Sequence, residues 1–185
     1  MHLTPGRARG FTLIELLMCV AILAVLLTLA VPSYATLIGR SKNQAARAEL
    51  TAALSLARMA AVSRGSHVIV CPSDNNDQCS STTQWQHGWI VFVDLNHDGS
   101  RSPSDAVLAV AQAQSPSVAI LGTSGRVHVD YQPDGSAVGT NQTLTVCDRV
   151  GGVRDATSIV INQAGRVRRG SPSPASAAAC LLAAS

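Results

Sequence analysis

The chain has 185 residues, 46% of them hydrophobic but only 3% aromatic, with 14 Lys+Arg against 11 Asp+Glu. That length suits one folded domain plus an anchor, with a core resting on Val, Ile, Leu and Ala. A formal charge of +3 excludes an overall polycation, so any case for nucleic-acid binding must come from local charge distribution.

Residues 1–10 are short, polar and basic, with Arg7 and Arg9 ahead of an apolar run over residues 16–31 that only Thr28 interrupts. With residues 11–14 added, roughly 20 residues are available to cross a hydrocarbon layer. The positive-inside rule keeps the N-terminus in the cytoplasm and places the remainder across the membrane. No A-x-A-like site ends the run, which argues against a cleaved secretory signal. Glu15 stands one turn into the span, where a carboxylate is costly and needs a partner.

Gly10-Phe11-Thr12-Leu13-Ile14-Glu15-Leu16 resembles the leader junction of type IV pilins and type II secretion pseudopilins. The resemblance implies a prepilin peptidase that cuts between Gly10 and Phe11 and methylates the new amine of Phe11. It also implies that Glu15 pairs with the N-terminal amine of a neighbouring pilin during assembly, which neutralises its charge inside the fibre. Pro32 matches the family's kink position, where a missing N–H and the ring loosen the helix. The expected protein is held in the bacterial inner membrane by a single span, with a periplasmic C-terminal domain, and enters a pilus or pseudopilus.

Past Pro32 the helical pattern resumes. Leu50, Leu54, Ala57 and Ala61 recur at helical spacing, with Arg47, Thr51, Ser55 and Arg58 on the opposite face and Gly65 as a stop. Strands are predicted over residues 67–71, 89–93, 107–111, 118–121, 127–131, 144–148 and 158–161. Turns fall at Pro133-Asp134-Gly135 and Ala164-Gly165. The fold class is α+β, with the long N-terminal helix packed on antiparallel sheet. Its parts are a leader at 1–10, an assembly and transmembrane helix at 11–38, an amphipathic half at 39–65 and a β-rich domain at 66–185. The block from Trp85 to Phe92, with Gly88 and Trp89 at its centre, leads into Asp94-Leu95-Asn96-His97-Asp98-Gly99. That arrangement resembles the GspH/FimT-like branch of minor pilins and pseudopilins.

Cys19 lies in the apolar run and behaves there as a small hydrophobe. Cys71, Cys79, Cys147 and Cys180 follow a membrane-targeting segment, so an oxidising compartment and two disulfides are expected. Three pairings are open; Cys71–Cys79 with Cys147–Cys180 is favoured because each closes a loop within one region. No C-x-x-C pair supports zinc. The tail over residues 170–179 is Ser, Pro and Ala, a composition that is disordered when free, and Cys180 ties it back.

Asp94, Asn96, Asp98, Gly99 and Asp105 imitate a calcium loop, but the twelfth place holds Asp rather than Glu and Arg101 takes the apolar eighth place. Tight-turn chemistry accounts for the same residues, so no metal is assigned. The histidines form no catalytic constellation, and neither an enzyme nor a cofactor is expected. From Cys147 onward, Arg149, Arg154, Arg166, Arg168 and Arg169 face only Asp148 and Asp155. Arg166 and Arg168 project from one strand face at period two, and planar guanidiniums suit phosphate oxygens bidentately. The Gly165-Arg166-Val167-Arg168 element resembles one in FimT-like minor pilins, which bind DNA during natural transformation. The resemblance therefore implies double-stranded DNA as a partner of Arg166, Arg168 and Arg169. The alternative is a type II secretion pseudopilin or a pilus-priming subunit, for which the same basic edge is solvated or touches another subunit.

Overall fold

A computed structural model describes residues 12–149 and 151–183, apart from the side chains of 29–33, 35 and 36. The leader junction at Gly10 and Phe11 lies outside the described residues. The chain divides into two units, Met1–Leu37 and Ile38–Ser185.

In the first unit the backbone is helical from Leu13, the start of α1 (Leu13–Arg64). The apolar side chains from Leu13 to Leu27 are half exposed or more. Among the described residues no helix is long and apolar enough to cross a membrane. The span expected over residues 11–38 extends into side chains outside the described set.

The second unit opens with the remainder of α1. Ala46, Leu50, Ala53, Leu54, Ala57, Ala60 and Ala61 are buried there, one stripe at helical spacing. Its alanines let the helix approach the sheets closely. The strands are β1 (His67–Pro72), β2 (Trp89–Asp94), β3 (Val107–Ala111), β4 (Val118–Leu121), β5 (Val129–Tyr131), β6 (Thr143–Asp148), β7 (Thr157–Ile161) and β8 (Val167–Gly170). They form two four-stranded antiparallel sheets, ordered β3-β2-β1-β5 and β4-β6-β7-β8. The α1 stripe shares one core with Val68, Val70 and Val91 of the first sheet and Leu144, Val146 and Ile159 of the second.

Alternation along the strands builds a second layer on each sheet. Ile69, Cys71, Ile90 and Phe92 form their own cluster, with Cys79 packed against it, and Cys71–Cys79 is a disulfide. On the second sheet Ala119 and Cys147 meet Cys180, which belongs to α2 (Pro174–Leu182) and is bonded to Cys147. Both favoured pairings are thus present. Cys19 is free and exposed.

Two expectations need correction, the start of β5 and the state of the C-terminal tail, and one is borne out. β5 begins at Val129 rather than 127, because the His128 carbonyl accepts from the Gln142 side chain at 2.9 Å instead of joining a ladder. The strand face read for the basic segment after Gly165 is present as β8, paired with β7. The Ser/Pro/Ala tail is helical: the Ser173 hydroxyl caps α2 by accepting from the Ser176 N–H at 3.1 Å, Pro174 fits the first turn, and Ala is a strong helix former.

Only Ala177 and Cys180 of α2 are buried, so the disulfide dominates its attachment. Closing a loop of sequence separation 33 stabilises by about 3–4 kcal/mol on chain-entropy grounds. On reduction, hydrogen exchange is expected to deprotect the α2 amides well before those of β6. Simultaneous loss of protection in both elements would show that packing, not the bond, holds the helix.

Candidate functional site

β8 is an edge strand, paired through Ile159↔Arg169, Val160↔Arg168 and Ile161↔Val167. Val167 and Arg169 therefore share the core-side face of Ile159 and Ile161, whereas Arg168 shares the face of Val160. Arg166 and Arg168 have the same parity, as expected, although Arg166 stands just before the strand. The predicted trio is thus divided, with Arg169 turned toward α1.

The hairpin turn fixes where these arginines emerge. The Gly165 N–H donates to the Asn162 carbonyl at 2.9 Å, and the Asn162 side-chain oxygen accepts from the Arg166 N–H at 2.9 Å. Gly165 has φ +70°, and a Cβ there would strike the carbonyl oxygen of Gly135. Arg58 clamps the two turns together: its Nε donates to the Gly135 carbonyl at 2.9 Å and its Nη2 to that of Ala164 at 3.4 Å.

Three cavities line the seam between the second half of α1 and β8. One of about 450 Å³ is walled by Arg40, Asn43, Arg47, Arg154, Thr157 and Arg169. The next, about 470 Å³, shares Arg47 and Arg169 and adds Thr51, Ser55 and Arg168. The third, about 800 Å³, shares Ser55 and adds Arg58, Met59, Asp134 and Arg166. Shared walls make one groove. The helix face of Arg47, Thr51, Ser55 and Arg58, expected to oppose the packed stripe, thus borders β8 instead of lying apart from it.

Seven arginines border this groove, against Asp155 and Asp134. Arg40 Nε holds Asp155 Oδ2 at 3.1 Å. Hydrogen bonds from Ser136 hold the Asp134 carboxyl below its usual range. Among the described residues, Arg47, Arg154, Arg166, Arg168 and Arg169 have no carboxylate partner. Burial and the neighbouring Arg169 charge push the Arg47 guanidinium below its ordinary value. Unpaired guanidiniums along an open groove can take up oxyanions, phosphate above all.

The Asp94–Asp105 loop and His67 make contacts within the second unit. Asp94 Oδ2 accepts from the Gly99 N–H at 2.9 Å, and Asp105 accepts from the N–H groups of Leu95 and Ser102 at 3.1 and 2.7 Å. Burial works to raise the Asp105 pKa, but bonds from Ser102 and Leu95 and the Arg101 charge outweigh it and hold the carboxyl low. No group of three or more His, Cys, Asp or Glu able to hold a metal occurs among the described residues. His67 Nδ1 lies 2.9 Å from Asp130 Oδ2, with the His97 ring edge-on at 4.5 Å. Glu15 lies in the first turn of α1, its N–H donating to Thr12 Oγ1 at 3.3 Å.

Sequence reasoning missed the contribution of Arg47 and Arg58 to the basic site, and counted Arg154 in the basic C-terminal region without assigning it to the site. The helical spacing of Arg47 and Arg58 was the available signal, but only the tertiary fold brings that face to β8.

A family model described as Type II transport protein GspH matches residues 46–165, and a prokaryotic N-terminal methylation motif matches residues 6–31. The first match ends at Gly165, so Arg166, Arg168 and Arg169 lie beyond it. No curated protein matches the sequence. The type IV minor pilin FimU of Pseudomonas aeruginosa is similar in structure, with a TM-score of 0.54 and 23% identity, covering 69% of this chain and 91% of its own. The minor pseudopilin EpsH from the Type 2 Secretion System of Vibrio cholerae gives a TM-score of 0.51 at 10% identity, covering 71% and 98%. At these identities the likeness is one of fold.

Proposed function

The chain belongs to the GspH family of type II transport proteins, and on that premise we propose that it is a FimT-like minor pilin that binds extracellular duplex DNA during natural transformation. The broader assignment, a minor pilin or pseudopilin of a type IV pilus or a type II secretion system, rests on the family match and the methylation motif. The DNA reading is carried by one observation: Arg166, Arg168 and Arg169, without carboxylate partners, border an open groove. Phosphate contacts of this kind give affinity without sequence preference.

In this reading residues 11–38 anchor the subunit in the inner membrane. A prepilin peptidase removes residues 1–10 and methylates Phe11. Glu15 then pairs with the amine of a neighbouring pilin, which offsets the cost of a carboxylate in apolar surroundings. The protein works by binding and assembly, not catalysis.

The test is a titration of the protein with unrelated duplexes at low salt. Dissociation constants of roughly 10⁻⁴–10⁻⁶ M are expected, alike across sequences. Arg166→Gln with Arg168→Gln should weaken binding to every duplex equally. A parent protein that binds no duplex would leave a pseudopilin or a pilus-priming subunit as the better description.

A further inference from the structure

We infer that the cavity bounded by Arg47, Arg154 and Arg169 is a seat for one backbone phosphate of the bound DNA strand, which extends the binding site from the β8 edge across to α1. The inference rests on the DNA reading above.

The three guanidiniums come from three separate elements: α1, the 3₁₀ turn at Gly152–Asp155, and β8. They wall a cavity of about 450 Å³ whose only carboxylate among the described residues, Asp155, is engaged by Arg40. Folding alone gives no reason to gather them, since like charges side by side repel. Arg47 bears that cost directly, partly desolvated and next to Arg169. An anion between them would reverse the sign of the interaction.

The wall holds a further group suited to an oxyanion. The Thr157 hydroxyl oxygen is buried and has no hydrogen-bond partner among the described residues. A buried hydroxyl without a partner is destabilising, and it can donate to a phosphate oxygen. Asn43 presents a buried, unpartnered Oδ1 in the same wall, a site for an ordered water rather than for the anion.

The dimensions suit a strand running along the seam. Arg166 and Arg169 are three residues apart, roughly 10 Å at about 3.3 Å per residue. Arg47 and Arg58 are eleven residues apart, roughly 16 Å at about 1.5 Å per residue. Several consecutive phosphates therefore fit between the Arg166 end and the cavity. Arg58, bonded to two carbonyls, acts at the far end as a positioning residue for the turn.

The experiment uses the full chain in neutral detergent and compares the parent with Arg47→Gln, Arg47→Lys and Arg154→Gln. Duplex affinity should fall about three- to tenfold for Arg47→Gln, where tenfold corresponds to about 1.4 kcal/mol. Arg47→Lys should lose less, since charge remains without the planar fork. The thermal midpoint of Arg47→Gln without ligand should stay level or rise, because repulsion from Arg169 is removed; a merely structural arginine would lower it. Inorganic phosphate should raise the parent midpoint more than that of Arg47→Gln. If Arg47→Gln unfolds, Arg154→Gln on the exposed turn carries the same test.

A parent that binds duplex while Arg47→Gln and Arg154→Gln equal it, with Arg166→Gln and Arg168→Gln weakened, overturns the seat and spares the DNA reading. A parent that binds no duplex overturns both. Loss of binding to phosphatidylglycerol vesicles, with duplex binding intact, assigns the cavity to a lipid headgroup and overturns the proposal.

Discussion

Replacing Gly10 with Val is expected to leave residues 1–10 attached to the chain. The methylation-motif match spans this junction, and a peptidase acting there must accommodate the residue before the scissile bond. A β-branched side chain brings bulk and a stiff χ1 to a place where glycine brings neither. Intact-mass measurement of membrane extracts reads the result directly. The parent should appear without residues 1–10 and with one methyl group on Phe11; the variant should keep its leader and no methyl. Normal removal of the leader from Gly10→Val would overturn the processing assignment. Glu15 lies downstream of the proposed cut, so on that proposal Glu15→Ala should be processed normally and fail later, at incorporation into fibres.

Gly165→Ala should be the most damaging single methyl group in the basic region. Its φ of +70° is left-handed backbone, and the new Cβ would meet the Gly135 carbonyl oxygen, with Arg58 Nε at 3.2 Å. The backbone contributes about 1–2 kcal/mol of destabilisation and the displaced neighbour about 1–3 more. A fall in thermal midpoint on the order of 10 °C follows for a chain of this size. Gly125 supplies the control: its φ is +75° but nothing lies within 4 Å of its Cβ position. Gly125→Ala should therefore show the backbone cost alone. Because the Gly165 turn sets where Arg166 emerges, Gly165→Ala should also weaken duplex binding, whereas Gly125→Ala should not. Equal midpoints for the two variants would mean that the packing of one turn on the other does not constrain β8.

The contrast between these glycines shows what is legible in the sequence alone. The strands are readable because apolar, β-branched residues stand between turn residues; β3 and β4 fall where that pattern predicts. The Asp94–Asp105 loop is readable as turn chemistry, since its carboxylates accept backbone N–H groups. Regional grouping of the cysteines favours the two disulfides observed but leaves three pairings open until the fold brings Cys147 to Cys180. α2 is not, because a Ser/Pro/Ala run reads as loose chain until Ser173 caps it and Cys180 anchors it. The basic groove is half legible. Period two places Arg166 with Arg168, and helical spacing places Arg47 with Arg58. Periodicity tells which residues share a face but not which element borders that face. The meeting of Arg47 with Arg169 is a product of sheet order, with β8 as the edge strand beside the helix. Arg47 and Arg58, natural controls on a helix taken alone, are therefore part of the site under test.

The salt dependence of duplex binding tests the central claim most directly. Each neutralised phosphate releases condensed counterions, so log affinity falls linearly with log salt, by about 0.9 per phosphate neutralised. The parent should give a steep slope that is the same for unrelated duplexes. Arg166→Gln with Arg168→Gln should reduce it by roughly one to two, at about 1 for each phosphate left without its arginine. A parent slope near zero, or a slope unchanged by removing both arginines, would contradict the account.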